Sequence, residues 1–165
     1  MSPLQIDFEK KLSQLGLSYS VHHEAYYTIS SRTGSENHSV IRLIQSLPVN
    51  NRVHGSKNGN QIVAMGLFKY KFYASGIKPD IVVFTFPNPI KNQAEFIIIP
   101  TDELMSRLVL KCQRSSLPKS VELAFWLMAD GSVYDTTKIS VEGEWYFLGK
   151  GVNGRVADGS DLDYT

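Results

Sequence analysis

The 165-residue sequence predicts an α/β or α+β domain, a mixed central sheet flanked by about three helices. Three observations predict it. Residues 81–84 (IVVF) and 96–99 (FIII) are wholly apolar and strand-sized, as strands covered on both faces must be. Leu4, Phe8, Leu12 and Leu15 recur at helical spacing. Residues 62–73 alternate in the period-2 manner of a long strand.

In chain order, a first helix spans 3–15. Ser2 caps it, Pro3 suits its first position, Gln5 completes an S-x-x-Q box, and Gly16 stops it. Residues 17–21 and 26–29 read as short strands. A second helix is expected over 35–47. There Thr33-Gly34-Ser35-Glu36 is a capping-box pattern, Val40, Ile41, Ile44 and Leu47 give the stripe, and Pro48 ends it.

Residues 49–60 are polar and Gly/Asn-rich, a loop. In 62–73, Lys69 and Lys71 share a face with Val63, Met65 and Leu67. Residues 74–79 turn the chain into a central strand, 81–86. Two prolines and two asparagines in 87–93 break it before a second buried strand, 96–99. A third helix covers 102–113, capped by Thr101, with Asp102 and Glu103 at its positive end. A hairpin of 121–127 and 133–139 turns at Asp130-Gly131, and 145–148 makes a last strand. Residues 1–150 form one domain, and 151–165 a Gly/Asp-rich tail.

Composition is that of a globular chain: 42% hydrophobic and 20% charged residues, with one cysteine, Cys112. A single cysteine forms no internal disulfide, and the opening MSPLQIDFEKK lacks a signal pattern. A cytoplasmic protein without a membrane span is therefore expected. Net charge is +1, unevenly spread. Between Pro48 and Ala94 six bases (Arg52, Lys57, Lys69, Lys71, Lys78, Lys91) meet one acid, Asp80. From Ser120 onward eight acids meet three bases. The basic middle could face a polyanion, or the two regions could simply pair.

Histidine offers no metal site, since His22 and His23 point to opposite faces of a strand and His38 and His54 stand alone. Cys112 lies on an apolar helix face and reads as a buried thiol. Gly149-x-Gly151-x-x-Gly154 spells a dinucleotide fingerprint, but eleven residues after it leave no room for a Rossmann unit. Pro79-Asp80 followed by Glu95-Phe96-Ile97 outlines a PD-(x)n-ExK metal site with isoleucine in place of lysine. If 81–86 and 94–99 form a hairpin turning near Ile90, Asp80 faces about Pro100 and Glu95 about Thr85. At about 3.3 Å per residue the carboxylates then stand roughly 15 Å apart, too far for one Mg²⁺. In 68–73, lysines alternate with aromatics. Lysines meet phosphate and aromatic faces stack bases, although here the two sets fall on opposite faces of the strand.

The block from Lys69 to Leu108 is similar to the second half of the restriction-endonuclease-like (PD-(D/E)XK) superfamily. The residues that carry this are Phe72-Tyr73, Gly76-x-Lys78-x-Asp80-Ile-Val-Val-Phe, and Glu95-Phe-Ile-Ile-Ile-Pro100-Thr-Asp-Glu103-Leu. The first helix resembles the opening helix of that family, with Glu9 matching its acid. The resemblance implies Glu9, Asp80 and Lys69 as catalytic residues, with Mg²⁺ needed only by an active nuclease. The departures are specific. Between His23 and Phe72 the only acids are Glu24 and Glu36, and no acid lies two residues before Lys69 or Lys71. A dismantled metal site implies a nuclease-like module that meets nucleic acid through Arg52, Lys57, Lys69 and Lys71 without cleaving it. The alternative is a protein-interaction module, or an assembly with a second copy, using Trp126, Tyr134 or Trp145. An active Mg²⁺ nuclease is the third reading.

Overall fold

The computed structural model describes residues 2–14, 16–22, 25–30, 38–48, 56–57, 59–71, 78–112, 120–130, 133–135, 146–149 and 155–157. The elements are α1 (Pro3–Gln14), β1 (Ser18–His22), β2 (Tyr26–Ser30), β3 (His38–Gln45), β4 (Ser56–Lys57), β5 (Asn60–Lys71), β6 (Ile81–Asn88), β7 (Gln93–Pro100), α2 (Thr101–Cys112), β8 (Ser120–Met128), β9 (Val133–Asp135), β10 (Tyr146–Gly149) and β11 (Arg155–Ala157). They build a mixed α/β structure with two sheets. One has the order β1-β2-β3-β6-β7-β11, the other β10-β9-β8-β5-β4. In the first, β3 and β6 are parallel and the other pairs antiparallel.

Alternation along the strands sorts the core into two clusters. Ile41, Leu43, Ile81, Val83, Phe96 and Ile98 point to one side of the six-stranded sheet and pack with Phe8 and Leu12 of α1. Ile44, Val82, Phe84, Phe86, Ile97 and Ile99 point to the other. They meet Ala64, Phe68 and Tyr70 of β5, Leu123 and Phe125 of β8, and Leu104 and Leu108 of α2. The result is three layers: α1, the six-stranded sheet, then the five-stranded sheet with α2 on the same side. Gly66 lies where the two sheets meet. A Cβ there would come within 2.6 Å of the Phe68 ring and 2.8 Å of Phe86 Cβ, so only glycine lets them close.

α1 begins and ends as its sequence predicts. Gln5 N donates to Ser2 Oγ at 3.2 Å, although the Gln5 side chain goes to Tyr27 rather than back to Ser2. At the other end Gly16 has φ +75°, Gly16 N donates to Ser13 O, and Leu17 N donates to Leu12 O. These two bonds are the Schellman pair. Leu15 lies outside the described residues.

The helix expected over 35–47 is instead strand β3, and this is a correction. Val40, Ile41, Leu43 and Ile44 satisfy a helical stripe and a strand buried on both faces equally well. Burial decides, because β3 is flanked by β2 and β6 and residues 41–44 are all buried. A helix there would leave the neighbours' backbone groups unpaired. The capping residues Thr33 to Glu36 lie outside the described residues. Among the described residues there are accordingly two helices, not three.

The break expected over 87–93 is shorter. β6 runs to Asn88 and β7 starts at Gln93, with Pro87 opposite Ala94. The pairing with β3 has ended at Thr85, so Pro87 has a strand neighbour on one side only. Within the expected tail, Arg155–Ala157 pair with β7 from Ile98 to Phe96. No helix among the described residues is long and apolar enough to cross a membrane.

Candidate functional site

The three residues implied as catalytic lie in different parts of the fold. Glu9 sits on α1, outside the six-stranded sheet. Tyr19 donates its hydroxyl proton to Glu9 Oε1 at 3.1 Å, and Tyr27 donates to Oε2 at 3.0 Å. Gln5 Nε2 donates to the Tyr27 hydroxyl at 2.9 Å, and Ser2 Oγ bonds Gln45 Oε1. Both carboxylate oxygens are thus engaged by phenols. Burial pushes the Tyr27 hydroxyl far above its ordinary value; Gln5's bond pulls part of the way back, and Glu9 pushes it up again. Burial, then Glu9, raises Tyr19 as well.

Asp80 precedes β6 and closes the end of its parallel pairing with β3. Val40 N donates to Asp80 Oδ2 at 2.8 Å, and Asp80 N donates to Val40 O at 2.8 Å. Thr101 N donates to Asp80 O at 3.0 Å. Glu95 pairs with Phe86, one residue beyond the expected partner Thr85. Six residues of strand therefore separate Asp80 from the level of Glu95, about 20 Å. Glu95 is buried and accepts a hydrogen bond from Asn88 Nδ2 at 2.8 Å. Among the described residues, no three His, Cys, Asp or Glu side chains gather as metal ligands.

Lys69 lies on β5 in the other sheet. Phe68 and Tyr70 face the core while Lys69 and Lys71 are exposed on the outer face, the split that the alternation predicts. Glu9 and Lys69 are separated by two sheets, on the order of 20 Å, whereas metal ligands stand about 2.1 Å from Mg²⁺. The fold does not bring Glu9, Asp80 and Lys69 together.

What it does bring to Lys69 and Lys71 is the outer face of β8. Trp126, half-buried, stands opposite Met65, Ala124 opposite Leu67, and Glu122 opposite Lys69. Tyr134 is in register with Trp126, and Phe147 with Tyr134. Leu47 bridges to Leu67, and both side chains are exposed. This face therefore carries two lysines, an acid beside one of them, an indole and a run of apolar side chains. Phe68 and Tyr70 do not supply the ring, because β5 turns both inward. Trp126 comes from a strand more than fifty residues away in sequence, so no local pattern announces it.

Arg42 ties this edge down from inside. It is buried, donates from Nη1 to Lys71 O at 2.6 Å, and lies over the Tyr70 ring at 4.9 Å and the Tyr26 ring at 5.8 Å. Burial raises the Tyr70 hydroxyl, and the Arg42 charge draws it partly back.

Of the other expected phosphate contacts, Lys57 lies on β4 opposite Asn60, and Arg52 lies outside the described residues. Trp145, His23, His54 and Glu24 also lie outside them, as does the Cys112 side chain. Comparison with family models, curated proteins and solved structures finds no match to this chain.

Proposed function

We propose that this protein is a nucleic-acid-associated module that binds single strands without cutting them. The reading rests on one observation: β5 turns Lys69 and Lys71 outward on the sheet face that also carries Trp126 of β8. An exposed lysine pair offers phosphate contacts, and a half-buried indole on the same sheet face offers an aromatic surface for a base. Four residues separate Met65, the partner of Trp126, from Lys69, about 13 Å along the strand. That is a span of a few nucleotides. The absence of cleavage follows from the separation of Glu9, Asp80 and Lys69 and from the protein hydrogen bonds that already hold both acids. The strand-to-helix junction at Pro100 and Thr101 is what supports a nuclease-like origin.

The test is fluorescence anisotropy with a labelled single-stranded oligonucleotide over a salt series. Changing Lys69 and Lys71 to Gln should weaken binding and reduce the salt slope by about 1.4. Trp126→Ala should weaken it at all salt concentrations, by about 1–3 kcal/mol. Unaltered affinity in the Lys69/Lys71 double variant would refute the proposal. Incubation with Mg²⁺ or Mn²⁺ should leave the strand intact, and cleavage that Asp80→Ala abolishes would establish an active nuclease instead.

A second reading, a surface for a protein partner or a second copy, is favoured by the exposed Leu47 and Leu67 on the same face. It predicts salt-insensitive self-association by sedimentation, lost in Leu67→Lys.

A further inference from the structure

The six-stranded sheet leaves the outer edge of β1 open. Among the described residues β1 pairs with β2 on one side and with no strand on the other. Four of its five residues are exposed, and Val21 keeps 48% of its surface in solvent. Open edges invite pairing, and proteins blunt them by shortness, bulges, charge or proline. The other three edge strands are blunted in this way. β4 has two residues, β11 has three, and β10 has four with a register shift between Phe147 and Gly149. β1 runs for five residues, Ser-Tyr-Ser-Val-His, with no bulge, proline, lysine, arginine or carboxylate.

Hydrogen bonding fixes which backbone groups of β1 face outward. Leu43 N donates to Ala25 O at 2.7 Å, so Ala25, Tyr27 and Ile29 direct their backbone groups to β3, and Tyr26, Thr28 and Ser30 direct theirs to β1. The partners of those three, His22, Ser20 and Ser18, point back to β2. The N–H and C=O groups of Tyr19 and Val21 therefore face the open edge. This edge is complementary to itself. A second copy laid antiparallel along it, with the two-fold axis at Ser20, sets Tyr19 opposite Val21 of the second copy. Each such pair exchanges both N–H···O bonds, and the axis makes two such pairs. An aromatic beside a β-branched residue is a favourable cross-strand pair, and it covers the exposed Val21. No carboxylate or lysine of the strand meets its own copy across the axis. Tyr19 is already fixed in place, its hydroxyl on Glu9 and its ring 5.9 Å from that of Tyr27.

We propose that the protein pairs with a second copy of itself through β1, edge to edge about a two-fold axis at Ser20, so that two six-stranded sheets join into one of twelve strands. This depends neither on nucleic-acid binding nor on the face that carries Leu47 and Leu67. Sedimentation equilibrium of the full chain should give twice the monomer mass. Val21→Pro removes an outward N–H that β2 does not use, and should give the monomer mass with an unchanged far-UV circular dichroism spectrum. Crosslinking tests the register without disturbing the fold. Ser20 meets its own copy in a non-hydrogen-bonded pair, with Cα atoms about 4.5 Å apart, a separation that a disulfide spans. With Cys112→Ser removing the native thiol, Ser20→Cys should oxidise to a covalent dimer. His22→Cys should not, because position 22 lies four residues, about 13 Å, from its copy. Leu67→Lys should leave the dimer intact. A monomer at every concentration, a dimer that survives Val21→Pro, one that Leu67→Lys dissolves, or crosslinking at position 22 rather than 20 would overturn the proposal.

Discussion

Glu9 is the acid that the sequence offers to a metal, and two tyrosines take it. A carboxylate whose two oxygens each accept a phenol proton already has its charge solvated, and it anchors α1 to β1 and β2. The same contacts set a pH limit on stability. The Tyr27 hydroxyl is raised by burial, so the unfolded chain gives up that proton near its ordinary value of about 10 while the folded chain keeps it. The stabilisation is present below about pH 10 and is lost as pH rises above it. Urea midpoints should hold up to about pH 9 and fall beyond pH 10, and Tyr27→Phe should flatten that decline. Gly66 sets a steric limit. Gly66→Ala should lower stability by about 1–3 kcal/mol in urea titration, because the Phe86 backbone side of the contact cannot swing away.

At the scale of the element, β3 shows how little a stripe of apolar residues decides alone. α1 has a cap, a stripe on one face and a glycine at its stop, and all three agree. The segment 38–45 has apolar residues on both faces, and a strand between two neighbours uses them all. Its β-branched Val40, Ile41 and Ile44 were the local sign of a strand. Asp80 belongs to this scale too, as it ties the start of β6 to β3. Asp80→Ala should cost about 1 kcal/mol of stability by chemical denaturation and should leave any oligonucleotide binding unchanged. The hairpin was legible from its two apolar runs, but its register was not. The pairing is one residue off the expected register, Glu95 opposite Phe86 rather than Thr85, with Asn88 Oδ1 accepting from Ile90 N and Lys91 N and Asn92 in the left-handed region.

For the molecule as a whole, layering determines which charges can cooperate. Lys69 has Glu122 opposite it on the same face, so a neighbouring acid competes with phosphate for that ammonium group. Glu122→Gln should therefore tighten oligonucleotide binding several-fold at low salt, with the gain fading at high salt, as anisotropy would show. Lys69 and Lys71, from the basic middle of the sequence, lie on one outer face, whereas Lys91 from the same stretch lies on the other side beside Lys10 and Lys11 of α1.

By itself, the sequence determined the first and last helices, the inward and outward faces of β5 and the apolar pair β6 and β7. Each of these depends on spacing within one segment, and backbone geometry converts spacing directly into a face. Only the tertiary structure decided that 38–45 is a strand, that Trp126 joins the lysines of β5, and that Glu9, Asp80 and Lys69 stay apart. These outcomes depend on which segments become neighbours, and neighbours are chosen by burial across the whole chain rather than by any pattern within one stretch.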